Sequence, residues 1–526
     1  MKQKIIKLFF TLKHLKLIQV YYQIWNRVKN KLIAYLFFPK KYKSAFPIKW
    51  KNVIHNFETY KGDFKFCFLN VEHHFKDTID WNYSAYGKLW TYNLNYFDFL
   101  NQPNLTTAQG LKLIKDYVQK DALIKDGKEP YPISLRGINW VKFLSQNNID
   151  DLQIHQTLYT HYQVLLYKLE YHLLANHLLE NGFSLLFGAY YFRDEKLYKR
   201  ASRIIKSELK EQILKDGGHF ELSPMYHQII LHRLLDSIQL IQANGWKQDK
   251  LLPLFKEKAM VMLAWLKNVT FANGNIPMVN DSAFNIAQSS EALFLYAEQL
   301  GVKTGNLKLS DSGYRKMVKN NFEVLLDVGD IKPDYQPGHS HADTFNFELY
   351  FNAKPIIVDK GVSTYEKNNK RQQERSTKSH NTVTINGKNS SNIWSGFRVA
   401  QRAKATITTD NVLKVAAHHN GYLKTHKTTH SRDFDFLENE LKITDIIQNT
   451  TAEARFHFHN EVKDISLDKN SILLQTENLM FKFKAEHLEI HIEDYQLPIG
   501  FNKTTNAKCL VVAFSEKLVT VIKPLT

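Results

Sequence analysis

Cysteine is almost missing from this chain: Cys67 and Cys509 are the only two among 526 residues, and they stand far apart. That rules out a disulfide scaffold and leaves no CxxC pair for a zinc ribbon, while the compartment stays open. Also missing are a glycine-rich nucleotide loop, a GxSxG elbow and a reactive-cysteine motif. Nothing therefore points to nucleotide chemistry or a covalent nucleophile. The first 51 residues hold no Asp or Glu but 13 Lys and Arg; the rest hold 57 basic and 52 acidic residues, an excess of only 5 out of the formal +18. Nucleic acid is not an expected partner, and the overall charge makes a weak case for any polyanion. The longest uncharged run of that arm, 17–26, is too short to span a bilayer and lacks a small-residue cleavage site after it. A secretory signal is not expected; a cytoplasmic or membrane-peripheral location is, with the periplasm as the alternative.

What is present is globular. Hydrophobic residues make up 44% and aromatics 13%, enough for large cores, and the length implies two or more domains. In the arm, Ile6, Phe10, Leu17, Tyr21, Ile24, Trp25, Val28 and Leu32 recur near helical spacing among lysines. This reads either as a helix packed on the body or as a basic amphipathic helix giving peripheral membrane contact through residues 1–51. FKFCFLN (64–70) reads as a short strand, and WTYNLNYFDFL (90–100) as an aromatic cluster, either core or sugar-binding wall.

From about 107 to 305 apolar residues recur at i, i+3, i+4 in successive segments separated by Asn-Gly and Asp-Gly breaks, the pattern of helical hairpins in series. After about 320 the segments become short, alternating and β-branched, as in an antiparallel sandwich. The expected order is therefore helices then strands: a basic helical arm at 1–51, an (α/α) toroid, an incomplete barrel, at 52–320, and an antiparallel β-sandwich at 321–526.

Three polar knots interrupt this apolar text. NHLLENG (176–182) places Asn176 and His177 at a helix, with Glu180 three residues on, on the same face. DGGHFELSPMYH (216–227) is an irregular loop carrying His219, Glu221, Tyr226 and His227 between two apolar helices. GHSHAD (338–343) runs into FNFELYF (345–351); on an extended segment His339 and His341 leave the backbone on the same side, to share one site or to serve two adjacent ones. Asn, His and Tyr on such loops suit proton transfer better than nucleophilic attack. His418, His419, His426 and His430 carry no ligand-like order and are expected to be solvated.

With these motifs, together with GNIPMVNDS (274–282), KPIIVDKG (354–361) and RSTKSHNTVTING (375–387), the chain resembles the heparinase II/III group of polysaccharide lyases over roughly 60–500. The resemblance implies an (α/α) toroid joined to a β-sandwich. It also implies β-elimination on a uronic-acid-containing acidic polysaccharide, with a uronate C5-epimerase as the alternative and a non-catalytic glycan-binding protein as a third reading. By resemblance Asn176 and His177 neutralise the substrate carboxylate, with Glu180 supporting His177. Tyr226 and His339 transfer protons, Arg136 in SLRGINW (134–140) is a substrate-cleft arginine, and His227 supports the site. His341, Asp359 and His380 match positions that hold a structural zinc ion in relatives, and they are suitable ligands. No organic cofactor is expected.

Overall fold

Capping residues punctuate the helical half. In the computed structural model, which describes residues 2–36, 39–247 and 250–525 (backbone alone for 2, 3 and 30–36), two arm helices α1 (Lys2–Leu12) and α2 (Leu17–Leu36) come first. A hairpin of β1 (Lys65–Phe68) and β2 (Val71–His74) precedes α3 (Lys88–Tyr96), α4 (Thr107–Lys120), α5 (Pro130–Gln146) and α6 (Leu152–Tyr167). Then follow α7 (Ala175–Phe192), α8 (Glu195–Gln212), α9 (Pro224–Ala243), α10 (Leu252–Val269) and α11 (Ser290–Gln299). Thr106 and Gln109 form a capping box at α4, and Asp151, Asp194, Ser223 and Ser289 cap α6, α8, α9 and α11 by accepting backbone N–H groups.

The helices pair antiparallel around α7, which is apolar on every side and buried along its length apart from His177. α8 lays Leu197, Ala201, Ile204, Ile205 and Leu209 against it. Gly188 lets the Tyr162 ring approach so closely that a Cβ would lie 2.7 Å from it. WTYNLNYFDFL divides: Trp90 and Phe97 are core, whereas Tyr92 and Tyr96 line a cavity.

The sheet half begins earlier than the expected boundary at 321. β3 (Tyr314–Lys319) already pairs with β4 (Phe322–Asp327), which continues to β5 (Phe347–Phe351) and β6 (Lys354–Ile357) in one antiparallel sheet. Facing it is a nine-stranded sheet whose spatial order is 405–410, 414–419, 430–436, 441–457, 503–524, 479–500, 471–474 and 465–468, with 383–384 beside 441–457. Phe347 and Leu349 of the small sheet share one core with Phe434, Ile443, Phe456 and Leu510 of the large one. The expected solvation fails for His419 and His430. Both are buried, linked to each other at 3.2 Å, and His430 reaches Asp445 at 2.7 Å beside Arg432, because a buried carboxylate needs donors.

Among the described residues of the expected 1–51 arm, Lys2–Leu12 and Leu17–Leu36 are helical; 39–51 runs without helix along the body, where the Phe46 N–H donates to the Tyr191 carbonyl at 2.7 Å and Ile48 is buried. The side chain of Leu32 lies outside the described residues. The two halves are stitched by a turn at 280–282. Asn280 donates to the Leu222 carbonyl at 3.0 Å and accepts from the His341 N–H at 3.0 Å, while Ser223 donates to the Asp281 carbonyl at 2.9 Å.

Candidate active site

The start of α7 is held in an uncommon backbone geometry. Leu174 and Ala175 both have positive φ, 60° and 54°, a conformation that costs a non-glycine residue about 1–3 kcal/mol and needs support from its surroundings. Glu221 gives that support. It accepts the Asn176 backbone N–H at 3.1 Å and the Asn176 amide nitrogen at 2.9 and 2.8 Å, so a carboxylate sits at the positive end of the helix. The next residue, His177, is part-exposed on the wall of a cavity of about 970 Å³ between the two halves. Burial alone would lower its pKa, but Glu170, bonded to Nδ1 at 3.1 Å, with Glu221 and Glu180 nearby, outweighs that and raises it.

The opposite wall is organised by Asp281. Its carboxylate binds His339 Nδ1 at 2.9 Å, His341 Nε2 at 2.8 Å and both terminal nitrogens of Arg371, one of them at 2.7 Å. Burial opposes ionisation of Asp281, yet Arg371 and the two histidines hold its pKa well below the ordinary value. A carboxylate can only accept, so Nδ1 of His339 donates to Asp281 and Nε2 is the nitrogen left for the cavity. That Nε2 lies 3.6 Å from the same Glu221 oxygen that accepts from the Asn176 amide. Tyr226, in the first turn of α9 after its Ser223 cap and Pro224, packs against the His339 ring with centroids 4.0 Å apart and planes tilted by 33°. Its hydroxyl meets that of Tyr365 at 3.1 Å, and burial pushes the Tyr226 pKa up, keeping the phenol protonated.

Asn176, His177, Tyr226 and His339 thus meet on one cavity. His339 and His341 share Asp281 but lie differently: His339 lines the cavity and His341 is fully buried. The segment around them is irregular rather than extended, and the strand begins only at Phe347.

Two expected roles change. Glu180 is not bonded to His177 and acts on it only through its nearby charge; it pairs with Arg233 at 3.2 Å, and the bonded acid is Glu170, aimed from the preceding loop. Arg136 is fully buried away from the cleft, donating to the Asn95 and Gly127 carbonyls at 3.1 and 2.9 Å and lying over the Tyr117 ring. The cleft arginine is Arg233. His227 supports the site from behind: it is buried, its Nε2 meets the Met262 carbonyl at 3.0 Å, and its Nδ1 accepts the His219 N–H at 3.2 Å, which fixes the loop before α9.

The metal set is also revised. Among the described residues, Asp343, Asp359 and His380 bring one ligand atom each within 4.8 Å of the others; Asp343 stands where His341 was expected. The His341 ring lies 5.2 Å from that of His380, with its Nε2 engaged by Asp281. Asp343 Oδ2, His380 Nε2 and His341 Nδ1 are all buried without a hydrogen-bond partner, a costly arrangement that a cation would relieve. Burial, reinforced by Asp359 and opposed by His380, pushes Asp343 up to about 6. This donor set fits a zinc ion.

Sequence reasoning left Glu170, Arg233, Tyr365 and Arg371 unmarked. Asp281 lay inside a motif already singled out, but nothing in its spacing announced two histidines and an arginine as partners.

With this geometry in view, the comparisons define the class. The description "Heparinase II/III N-terminus" matches residues 133–300 and "Heparinase II/III-like, C-terminal" matches 302–523. The chain belongs to the heparinase II/III-like family. It is 24% identical over 330 residues to a heparin-sulfate lyase of Bacteroides stercoris, covering 52% of this chain and 49% of that one. It is 27% identical over 239 residues to a heparin-sulfate lyase of Bacteroides thetaiotaomicron, covering 37% and 34%. The matches thus span half or less of these relatives' length. In fold it resembles a crystal structure of heparinase III (TM-score 0.67, 16% identity, 97% of this chain and 91% of that one). It also resembles that of a heparan sulfate lyase from Pedobacter heparinus (TM-score 0.56, 16% identity, 90% and 81%). These neighbours share the helical toroid joined to a β-sandwich.

Proposed function

We propose that this chain is a polysaccharide lyase that cleaves a uronate-containing polysaccharide by β-elimination. The observation that carries the reading is the convergence of Asn176, His177, Tyr226 and His339 on one cavity between the two halves. The C5 proton of a uronate is barely acidic while the adjacent carboxylate keeps its charge, so the charge must be neutralised first. His177, whose cationic form its acidic neighbours favour, meets that need. Asn176 contributes by turning one amide hydrogen from Glu221 to the substrate. His339 Nε2, its other nitrogen anchored by Asp281, takes the C5 proton. The C5–H electron pair becomes the C4–C5 double bond, the C4–O4 bond breaks, and the Tyr226 phenol protonates O4.

Charge in the cleft bears on the substrate. Lys88, Lys142, Arg233 and Lys367 line it. So do Asp98, Glu180, Glu221 and Glu366, and Arg233 already pairs with Glu180. A balanced lining supports a lightly sulfated or unsulfated polymer. Asp343, Asp359 and His380, with His341 beside them, would hold a zinc ion that braces the loop behind His339. When bound, the ion supplies fixed positive charge to buried carboxylates.

The test is the ultraviolet absorbance of the 4,5-unsaturated uronate on incubation with uronate polymers. Tyr226→Phe should lower the rate about 100-fold or more while substrate binding persists. Undiminished activity in that variant would remove Tyr226 from the reaction. Exchange of the C5 hydrogen in heavy water without new absorbance would instead indicate an epimerase.

A further inference from the structure

The arm turns its apolar side to solvent. In α2 the body-facing side chains are Gln19, which donates to the Leu173 carbonyl at 3.2 Å, Tyr22, stacked on Tyr171 at 4.8 Å, Asn26, 3.3 Å from His172, and Lys29, which donates to the Tyr167 carbonyl. On the other side Leu17, Tyr21, Ile24, Trp25 and Val28 fall within roughly 100° of the helical wheel, and every one is at least 43% exposed. α1 repeats the arrangement: Thr11 accepts from the Trp394 indole at 3.2 Å, whereas Ile5, Leu8, Phe9 and Leu12 are exposed. This inverts the ordinary placing of a surface helix, whose apolar stripe faces the core.

Charge decides what covers the stripe. Lys4, Lys13 and Arg27 are exposed beside it, and no acidic residue occurs in the first 51. A second copy would bring two basic arms face to face. An anionic lipid surface complements both the charge and the apolar side chains, and Tyr21 and Trp25 suit the headgroup boundary. Among the described residues no helix is long and apolar enough to cross a membrane, so the arm would lie on the surface.

We propose that α1 and α2 form an interfacial anchor that docks the chain on a bilayer rich in anionic lipid. The anchor is tied to the cleft: Gln19 holds Leu173, which lines the cavity, and Lys16 sits over the Tyr335 ring at 4.2 Å, next to cavity-lining Gln336. Docking therefore holds these cavity-adjoining residues near the membrane. Co-sedimentation of the full chain with phosphatidylcholine vesicles, with and without phosphatidylglycerol, tests this without turnover, and so independently of the lyase reading. Binding is expected to the anionic vesicles. It should weaken about tenfold or more in Ile24→Ser/Trp25→Ser, and likewise in Lys4→Gln/Lys13→Gln/Arg27→Gln and in raised salt, with the unfolding transition of each variant unchanged. Absence of binding to anionic vesicles, or equal binding by the variants, would overturn the proposal. Lipid-free self-association abolished by Ile24→Ser/Trp25→Ser would also overturn it, in favour of a second copy.

Discussion

Asp281 concentrates the electrostatics of the site in one side chain. Replacing it with Asn keeps the shape but leaves the buried Arg371 without its counter-charge. Uncompensated burial of this kind costs about 3–5 kcal/mol, so urea unfolding of Asp281→Asn should show a loss of that order, together with a misoriented His339. His177 offers a pH test. Because Glu170 and its neighbours raise its folded pKa, its contribution to stability is fully present below the unfolded value of about 6.5 and is lost as pH rises through the folded value. Glu170→Gln should move the His177 titration, followed by NMR, to lower pH. An unmoved titration would mean that Glu170 is not its main partner.

At the scale of elements, the site is built where irregular segments meet the first turns of α7 and α9. The loop before α9, the 280–282 turn and the 338–346 segment each place one part, and Arg371 and Arg375 brace the last by donating to the Gly338, Ser340 and Gly396 carbonyls. The unpartnered atoms of Asp343, His380 and His341 lie in the same brace. Zinc should therefore raise the melting temperature of metal-free protein with about one ion bound per chain by elemental analysis, since a ligand of the native state stabilises it by mass action. Asp359→Asn should abolish that shift. A melting temperature indifferent to zinc would count against the site.

Across the whole molecule, the cleft joins two halves that each carry their own core. Its balanced lining predicts that, in a panel of polymers, unsulfated or lightly sulfated uronates give the higher kcat/KM and a shallow salt dependence; a preference for highly sulfated chains with steep salt dependence would contradict it. Much of this architecture was legible in the chain. The change from 3.6-residue to two-residue periodicity near 320 separates toroid from sandwich to within one strand, because each pattern reports which face of its own element is buried. The residues at 176, 177, 226 and 339 were legible through motifs.

The pairing partners were not. Glu170 and not Glu180 is bonded to His177, Arg233 and not Arg136 lines the cleft, and Asp343 clusters with Asp359 and His380, and the exposed apolar face of α2 could not be told from a buried one. Periodicity and motif are properties of neighbours in sequence, which the chain carries by itself. Which carboxylate meets which cation, and which face meets water, depends on segments tens of residues apart being brought together, and only the tertiary fold decides that.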